Sequence, residues 1–169
     1  MNWKAVALVV LAFSACSKSY SPQSQETRQV LESFSMDQST LGKKSWNLKA
    51  EAATLDENGQ EAWLAKPRME IYKDNKPVTG VSSASGRLDT GTYDLRLSSG
   101  VKVVSAEYLS TLETEELDYS SKKKKFTTDK DVLVRRRGGV LRGRGLQAAP
   151  DLSEIRIFNQ KAVIKEGSL

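Results

Sequence analysis

The alternation of apolar and polar residues in this chain predicts an all-β fold, a twisted and partly open jelly roll of stacked antiparallel hairpins. Three observations carry that prediction. Period-2 runs recur at Trp46–Ala52, Met69–Ile71, Tyr93–Leu97, Val101–Val103, Val132–Val134 and Ile155–Ile157. Turn-forming residues fall between them, at Glu57-Asn58-Gly59, Asp74-Asn75, Thr90-Gly91, Ser99-Gly100 and Gly138-Gly139. Such runs bounded by Gly/Asn turns mark antiparallel sheet with one apolar face. Finally, Leu55-Asp56, Leu88-Asp89, Leu117-Asp118 and Leu146-Gln147 recur 33, 29 and 29 residues apart. A period of that size points to stacked supersecondary units, read here as β-hairpins.

The elements follow in order from the N-terminus. Lys4 precedes the apolar run Ala5–Phe13, and the small pair Ser14-Ala15 then precedes Cys16, the single cysteine of the chain. A charged start, a short apolar run and a small-residue site make a secretory signal, and the run is too short to span a bilayer. A cysteine directly after the small pair resembles a lipobox, with Phe13 where Leu is usual. A plain cleaved signal or an uncleaved anchor would place the body outside the cytoplasm equally. The predicted organisation is a lipoprotein signal peptide over 1–15, a lipid anchor at Cys16 with a flexible tether over 16–33, and one β domain over 34–169. Residues 17–29 are Ser/Gln-rich without apolar period, as tethers are, and only the stretch near Gln25 to Phe34 tolerates a helical turn.

Removal of residues 1–15 leaves 154 residues, enough for one domain with a core. With its one cysteine assigned to the anchor, the fold depends on burial rather than on disulfides. The inward stripe predicted from the alternation is Trp46, Leu48, Ala50, Leu64, Met69, Ile71, Leu95, Leu97, Val101, Val103, Val132 and Val134, continued by Ile155 and Ile157. A dry core and an acyl-chain groove require the same residues, so the stripe alone leaves both open.

The charge is uneven. Residues 120–145 hold ten Lys and Arg against Asp129 and Asp131, a local +8 in a chain of net +5, which leaves −3 elsewhere. A block this dense ordinarily reads as nucleic-acid binding, but export argues against a nucleic-acid partner. The polyanions outside the cytoplasm are phospholipid headgroups and phosphorylated glycolipids, and an acyl anchor plus a polybasic patch is a two-signal recipe for membrane adhesion. Lys122, Lys123, Lys124, Lys125, Arg135, Arg136 and Arg137 form the candidate anion patch; solvated loop charge is the other reading.

No catalytic constellation emerges. The chain contains no histidine, which excludes a Ser-His-Asp triad and a His-based zinc site. Ser120-x-x-Lys123 and Ser121-x-x-Lys124 have the serine–lysine spacing, yet any Ser before a lysine run does. Gly143-x-Gly145-x-x-Ala148 fits a dinucleotide fingerprint, but that motif must open a helix, which Pro150 and the alternating Ile155-Arg156-Ile157 deny. Glu113, Glu115, Glu116 and Asp118 face no second carboxylate cluster. The expectation is a protein that is not an enzyme and uses neither metal nor cofactor.

Read in order, several blocks carry a resemblance. They are Phe34-Ser35-Met36; Leu41-Gly42-x-x-x-Trp46-x-Leu48-x-Ala50; Leu64-Ala65-Lys66-Pro67-x-Met69-x-Ile71-Tyr72-Lys73-Asp74; and Ala84-Ser85-Gly86-x-Leu88. Leu95-x-Leu97-Ser98-Ser99-Gly100-Val101-Lys102-Val103, Leu112-x-Thr114-x-x-Leu117-x-Tyr119, Asp131-Val132-x-Val134 and Gly143-Arg144-Gly145-Leu146 complete the set. Together they resemble the LptC family of lipopolysaccharide export, whose members are bitopic or lipid-anchored. The resemblance implies a boat-shaped jelly roll at the periplasmic face of the inner membrane. Its hydrophobic groove would receive lipopolysaccharide from the LptBFG transporter and pass it to the bridge protein LptA, with no chemistry performed.

By the same resemblance, the strand around Trp46 to Ala50 would meet the transporter. The C-terminal strand, about Ile155 to Ile164 and including Ile157 and Val163, would meet LptA through edge pairing. Gly42 and Gly138 fall where the family has glycines important for assembly, and Gly145 is placed with them at the partner joint. The chain departs from many members in using a lipid rather than a transmembrane helix, and in its dense basic block. The competing class is a basic β-sandwich lipoprotein that adheres to membrane or glycan without moving lipid.

Overall fold

A computed structural model describes residues 28–164, and all the secondary structure in them is strand. Cys16, the signal and most of the tether lie outside the described residues. The strands are β1 Gln29–Thr40, β2 Lys43–Leu55, β3 Glu61–Ala65, β4 Arg68–Lys73, β5 Lys76–Ser82, β6 Ser85–Asp89, β7 Leu95–Ser105, β8 Ser110–Ser120, β9 Lys125–Arg136, β10 Gly139–Ala148 and β11 Ile155–Ile164. They form one antiparallel sheet in the order β11-β10-β9-β8-β7-β5-β4-β2-β3-β6, with β1 beside β2 and β6 also beside β7. The all-β jelly roll predicted from the alternation is the observed architecture.

That order implies a folded sheet. The N-terminal half of β2 pairs with β4 (Trp46↔Ile71, Leu48↔Met69) and its C-terminal half with β3 (Ala53↔Leu64, Leu55↔Ala62). β7 repeats the division: Leu95 and Leu97 face Leu88 and Gly86 of β6, whereas Val103 and Ser105 face Val81 and Thr79 of β5. The pairs β4–β5 and β3–β6 therefore bridge β2 and β7 on opposite sides of a line across the sheet. Register shifts at Ser98/Val101, Thr114/Asp118 and Arg144/Leu146 mark the same line in the long strands. Bulges bend and twist a strand, and here Gly100 and Gly145 supply φ of +80° and +78° within them. The sheet is creased along this line into two half-sheets that enclose one apolar cluster.

The hairpin turns then form two lips opposite the crease. One lip carries the turns at 41–42, 74–75, 106–109 and 137–138, the other those at 56–60, 90–94, 121–124 and 149–154. The chain visits each lip once per circuit, which accounts for the period of about 30 residues. Leu55, Leu88, Leu117 and Leu146 all lie at or near the C-terminal end of a strand leading into the second lip. The repeat unit is thus a full circuit through both half-sheets, not the single hairpin expected from spacing.

Four further expectations change. The stretch assigned to tether with a possible helical turn is the start of β1, which begins at Gln29; Ser33, at φ 56°, interrupts its alternation and hides it from a period-2 reading. Ser99-Gly100 is a bulge inside β7 rather than a turn between strands. Tyr93, at φ 60°, belongs to the turn before β7. The Trp46–Ala50 segment is no edge, because β1 covers it on one side and β4 on the other. Among the described residues, the sheet's two edges are β1 and β11.

Candidate functional site

Every residue of the predicted stripe points inward. Leu48, Leu97, Val103 and Val134 are at most 1 % exposed, and the least buried of the twelve, Ile71, is 8 % exposed. Cross-strand pairing aligns them: Leu97 opposes Leu117, Val103 opposes Leu112, and Leu112 opposes Val134. Each such side chain removed from water contributes roughly 1.5–3 kcal/mol, which is how a fold without disulfides holds. The outward neighbour of Leu97, Arg96, is exposed and grips Asp118 through two hydrogen bonds of 2.7 and 3.2 Å. The interior also includes Leu88, Leu112, Leu117, Phe126 and Leu146, each fully buried. Three of these, Leu88, Leu117 and Leu146, are leucines of the repeat, which the inward stripe read from the alternation did not include.

A cleft of about 670 Å³ opens between the lips. Lys43, Lys44 and Lys73 line it from one lip, Lys124, Asp151 and Glu154 from the other, and the buried Ile71 and Tyr119 reach its floor. Across the mouth, Ser121 Oγ donates to Gln38 Oε1 at 3.4 Å, and the Trp46 and Tyr93 rings meet edge-on at 6.3 Å between centroids. Around the cleft, Lys43 pairs with Asp74 at 2.9 Å, Lys44 with Asp37 at 2.7 Å and Lys73 with Glu107 at 2.9 Å. The hydrogen bonds from Lys44 and Lys43 hold the Asp37 and Asp74 carboxyls below the usual range, and Asp37 raises Lys44 in return. These groups stand in solvent, where screening keeps such pairs weak.

The basic block divides between the two lips. Lys122–Lys124 occupy the β8–β9 turn and Lys125 opens β9, whereas Arg135 and Arg136 close β9 and Arg137 lies in the next turn. The two groups sit at opposite ends of a 12-residue strand, and Arg135 is held by Glu113 at 2.8 Å. The carboxylates considered for catalysis are likewise in surface pairs, Glu116 with Lys130 at 3.3 Å and Asp118 with Arg96. Among the described residues no cluster of acidic, Cys or His side chains is arranged to hold a metal.

At the edges, Gly42 and Gly138 have φ of +74° and +91° in hairpin turns, with open space where a Cβ would stand. Their requirement is conformational, not close approach. Gly145 combines φ +78° with Phe158 Cδ2 3.1 Å from its Cβ position. Gly143, which the sequence placed in a rejected fingerprint and not at the partner joint, is the crowded one: a Cβ there would collide with Ile157 Cγ2 and lie 2.6 Å from Asn159 O of β11. Ile155 and Ile157 pack against the core rather than presenting themselves outward. The large apolar residue β11 offers to solvent is Phe158, 56 % exposed with Arg156 over its ring. Val163 opposes Leu141 by its backbone; its side chain, like Cys16, lies outside the described residues.

This architecture defines a class: a creased β-roll with an apolar interior, a cleft between its lips and, among the described residues, two open strand edges. The family model for LptC, lipopolysaccharide-assembly, LptC-related, matches residues 5–165, and the chain belongs to that family. Membership gives it a non-catalytic role in lipopolysaccharide transport, in periplasmic association with the inner membrane. No curated protein matches the chain significantly.

Proposed function

We propose that this protein, lipid-anchored through Cys16, receives lipopolysaccharide from the LptBFG transporter between its half-sheets and passes it to an LptA-like bridge. The observation that carries the reading is that one apolar cluster runs beneath a sheet with a free strand at each end. Matching rolls joined edge to edge extend such an interior without exposing acyl chains, and main-chain hydrogen bonds supply the joint. β1 is the edge for the transporter and β11 the edge for the bridge protein. The interior is filled in the free protein, so entry requires the lips to part. Entry exchanges the packing of the two half-sheets against each other for packing against acyl chains, whose burial is worth ~0.8 kcal/mol per methylene.

Photo-crosslinking in cells tests the proposal, with the reactive side chain at Leu97 or at Arg96. Lipopolysaccharide adducts are expected at Leu97 and not at Arg96. No adduct at either position, in a folded and anchored protein, would make the interior a closed core.

A further inference from the structure

Among the described residues, two polar side-chain atoms are buried without a hydrogen-bond partner, the Trp46 indole N–H and the Thr79 hydroxyl. Their residues are 2 % and 3 % exposed. A buried donor left unmade costs on the order of 1–3 kcal/mol, so two of them close together call for an explanation. They are indeed close: Trp46 opposes Ile71, and Ile71 opposes Thr79, so the two flank Ile71 in one inward cross-strand row. Strands are about 4.8 Å apart, which puts their backbones about 10 Å from each other. Gln38 extends the row beside Trp46, and both Gln38 and Ile71 line the cleft between the lips.

The row therefore lies where the apolar interior meets the lysine-bearing lips. An acylated, phosphorylated glycolipid has the same order of chemistry: apolar chains, then ester and amide carbonyls, then phosphates. Carbonyl oxygens only accept, and an indole N–H and a threonine hydroxyl both donate. We propose that Trp46 and Thr79 form a carbonyl-binding belt, donating to the ester or amide carbonyls of a bound glycolipid whose acyl chains occupy the interior. The inference rests on the lipid-carrying reading given above and adds the group that seats the ligand at a fixed depth.

The test compares wild type with Thr79→Val, which removes the hydroxyl at nearly constant shape, and Thr79→Ser, which keeps it. Binding is measured for purified lipopolysaccharide and for dodecyl phosphate, which has a chain and a phosphate but no carbonyl. Thr79→Val should bind lipopolysaccharide about three- to tenfold more weakly, the size of one neutral hydrogen bond, while dodecyl phosphate affinity stays level. Thr79→Ser should restore lipopolysaccharide binding. Thermal unfolding guards the interpretation: deleting an unpaired hydroxyl should leave the melting temperature unchanged or higher. Equal lipopolysaccharide affinity in all three proteins overturns the belt and leaves the lipid-carrying reading intact. Equal loss of both ligands in Thr79→Val overturns the belt as well, because packing alone would explain it. A wild type that binds neither amphiphile overturns the lipid-carrying reading itself, and the belt with it.

Discussion

At the scale of single residues, burial sets the chemistry more than charge does. Tyr119 shows it most clearly. Its ring packs on Phe126 at 5.4 Å between centroids, and burial, with a smaller contribution from the Asp94 carboxylate, pushes its hydroxyl from 10 up to about 12. The fold thus prefers the neutral phenol. The stabilisation is complete below pH 10, the unfolded value, and is lost as pH rises from 10 towards 12. It amounts to at most about 2–3 kcal/mol. Tyr119→Phe should flatten this part of the alkaline profile. Urea unfolding at pH 8.5 and pH 11.5 checks it: the wild type should lose more stability than the variant, and parallel losses would mean that the phenol ionises freely in the folded protein. The exposed Lys44 and Lys73, raised by Asp37 and Glu107, titrate in the same window in both proteins and cancel in the difference.

At the scale of elements, the joint between β10 and β11 holds the glycine with the least room for a side chain. Gly143 of β10 leaves no room for a Cβ against Ile157 and the Asn159 carbonyl, so Gly143→Ala must push β11 outward. Overpacking of this kind costs typically 1–3 kcal/mol, and because β11 is an edge the cost falls on that strand. The amides of Ile155–Ile164 should exchange faster with solvent while those of β7 and β8 keep their protection. Gly138→Ala should leave β11 unaffected, since the turn demands only a positive φ. Unchanged exchange in Gly143→Ala would mean that β11 is held by something other than this contact. The contrast also shows what the sequence could convey. The stripe was legible because strands alternate with period 2, and Gly138 because turns announce themselves. Gly143 was not, because its crowding comes from a strand 14 to 16 residues away, and β1 was not, because the positive φ at Ser33 breaks its alternation.

At the scale of the whole molecule, the crease converts a flat alternating pattern into an interior with a mouth. The Leu-Asp spacing carried the length of a circuit, but its path through two half-sheets depends on bulges at Gly100, which reads as an ordinary turn glycine, and at Gly145, which reads as part of a partner joint. The same geometry ties transport to lip separation. With the stripe at most 8 % exposed, acyl chains enter only if the half-sheets move apart, and the lips are where they are least joined. Gln38 and Ser121 already meet across the mouth, so cysteines at these two positions, in a Cys16→Ser background, can be bridged by a short bifunctional thiol reagent. The bridged protein should remain folded with an unchanged or raised melting temperature, since a cross-link restricts the unfolded chain. Its uptake of lipopolysaccharide should fall at least tenfold, and a cleavable linker should restore uptake on release. Undiminished uptake in the bridged protein would place the lipid elsewhere, on the outer face or along a strand edge, and the creased interior would then serve stability alone.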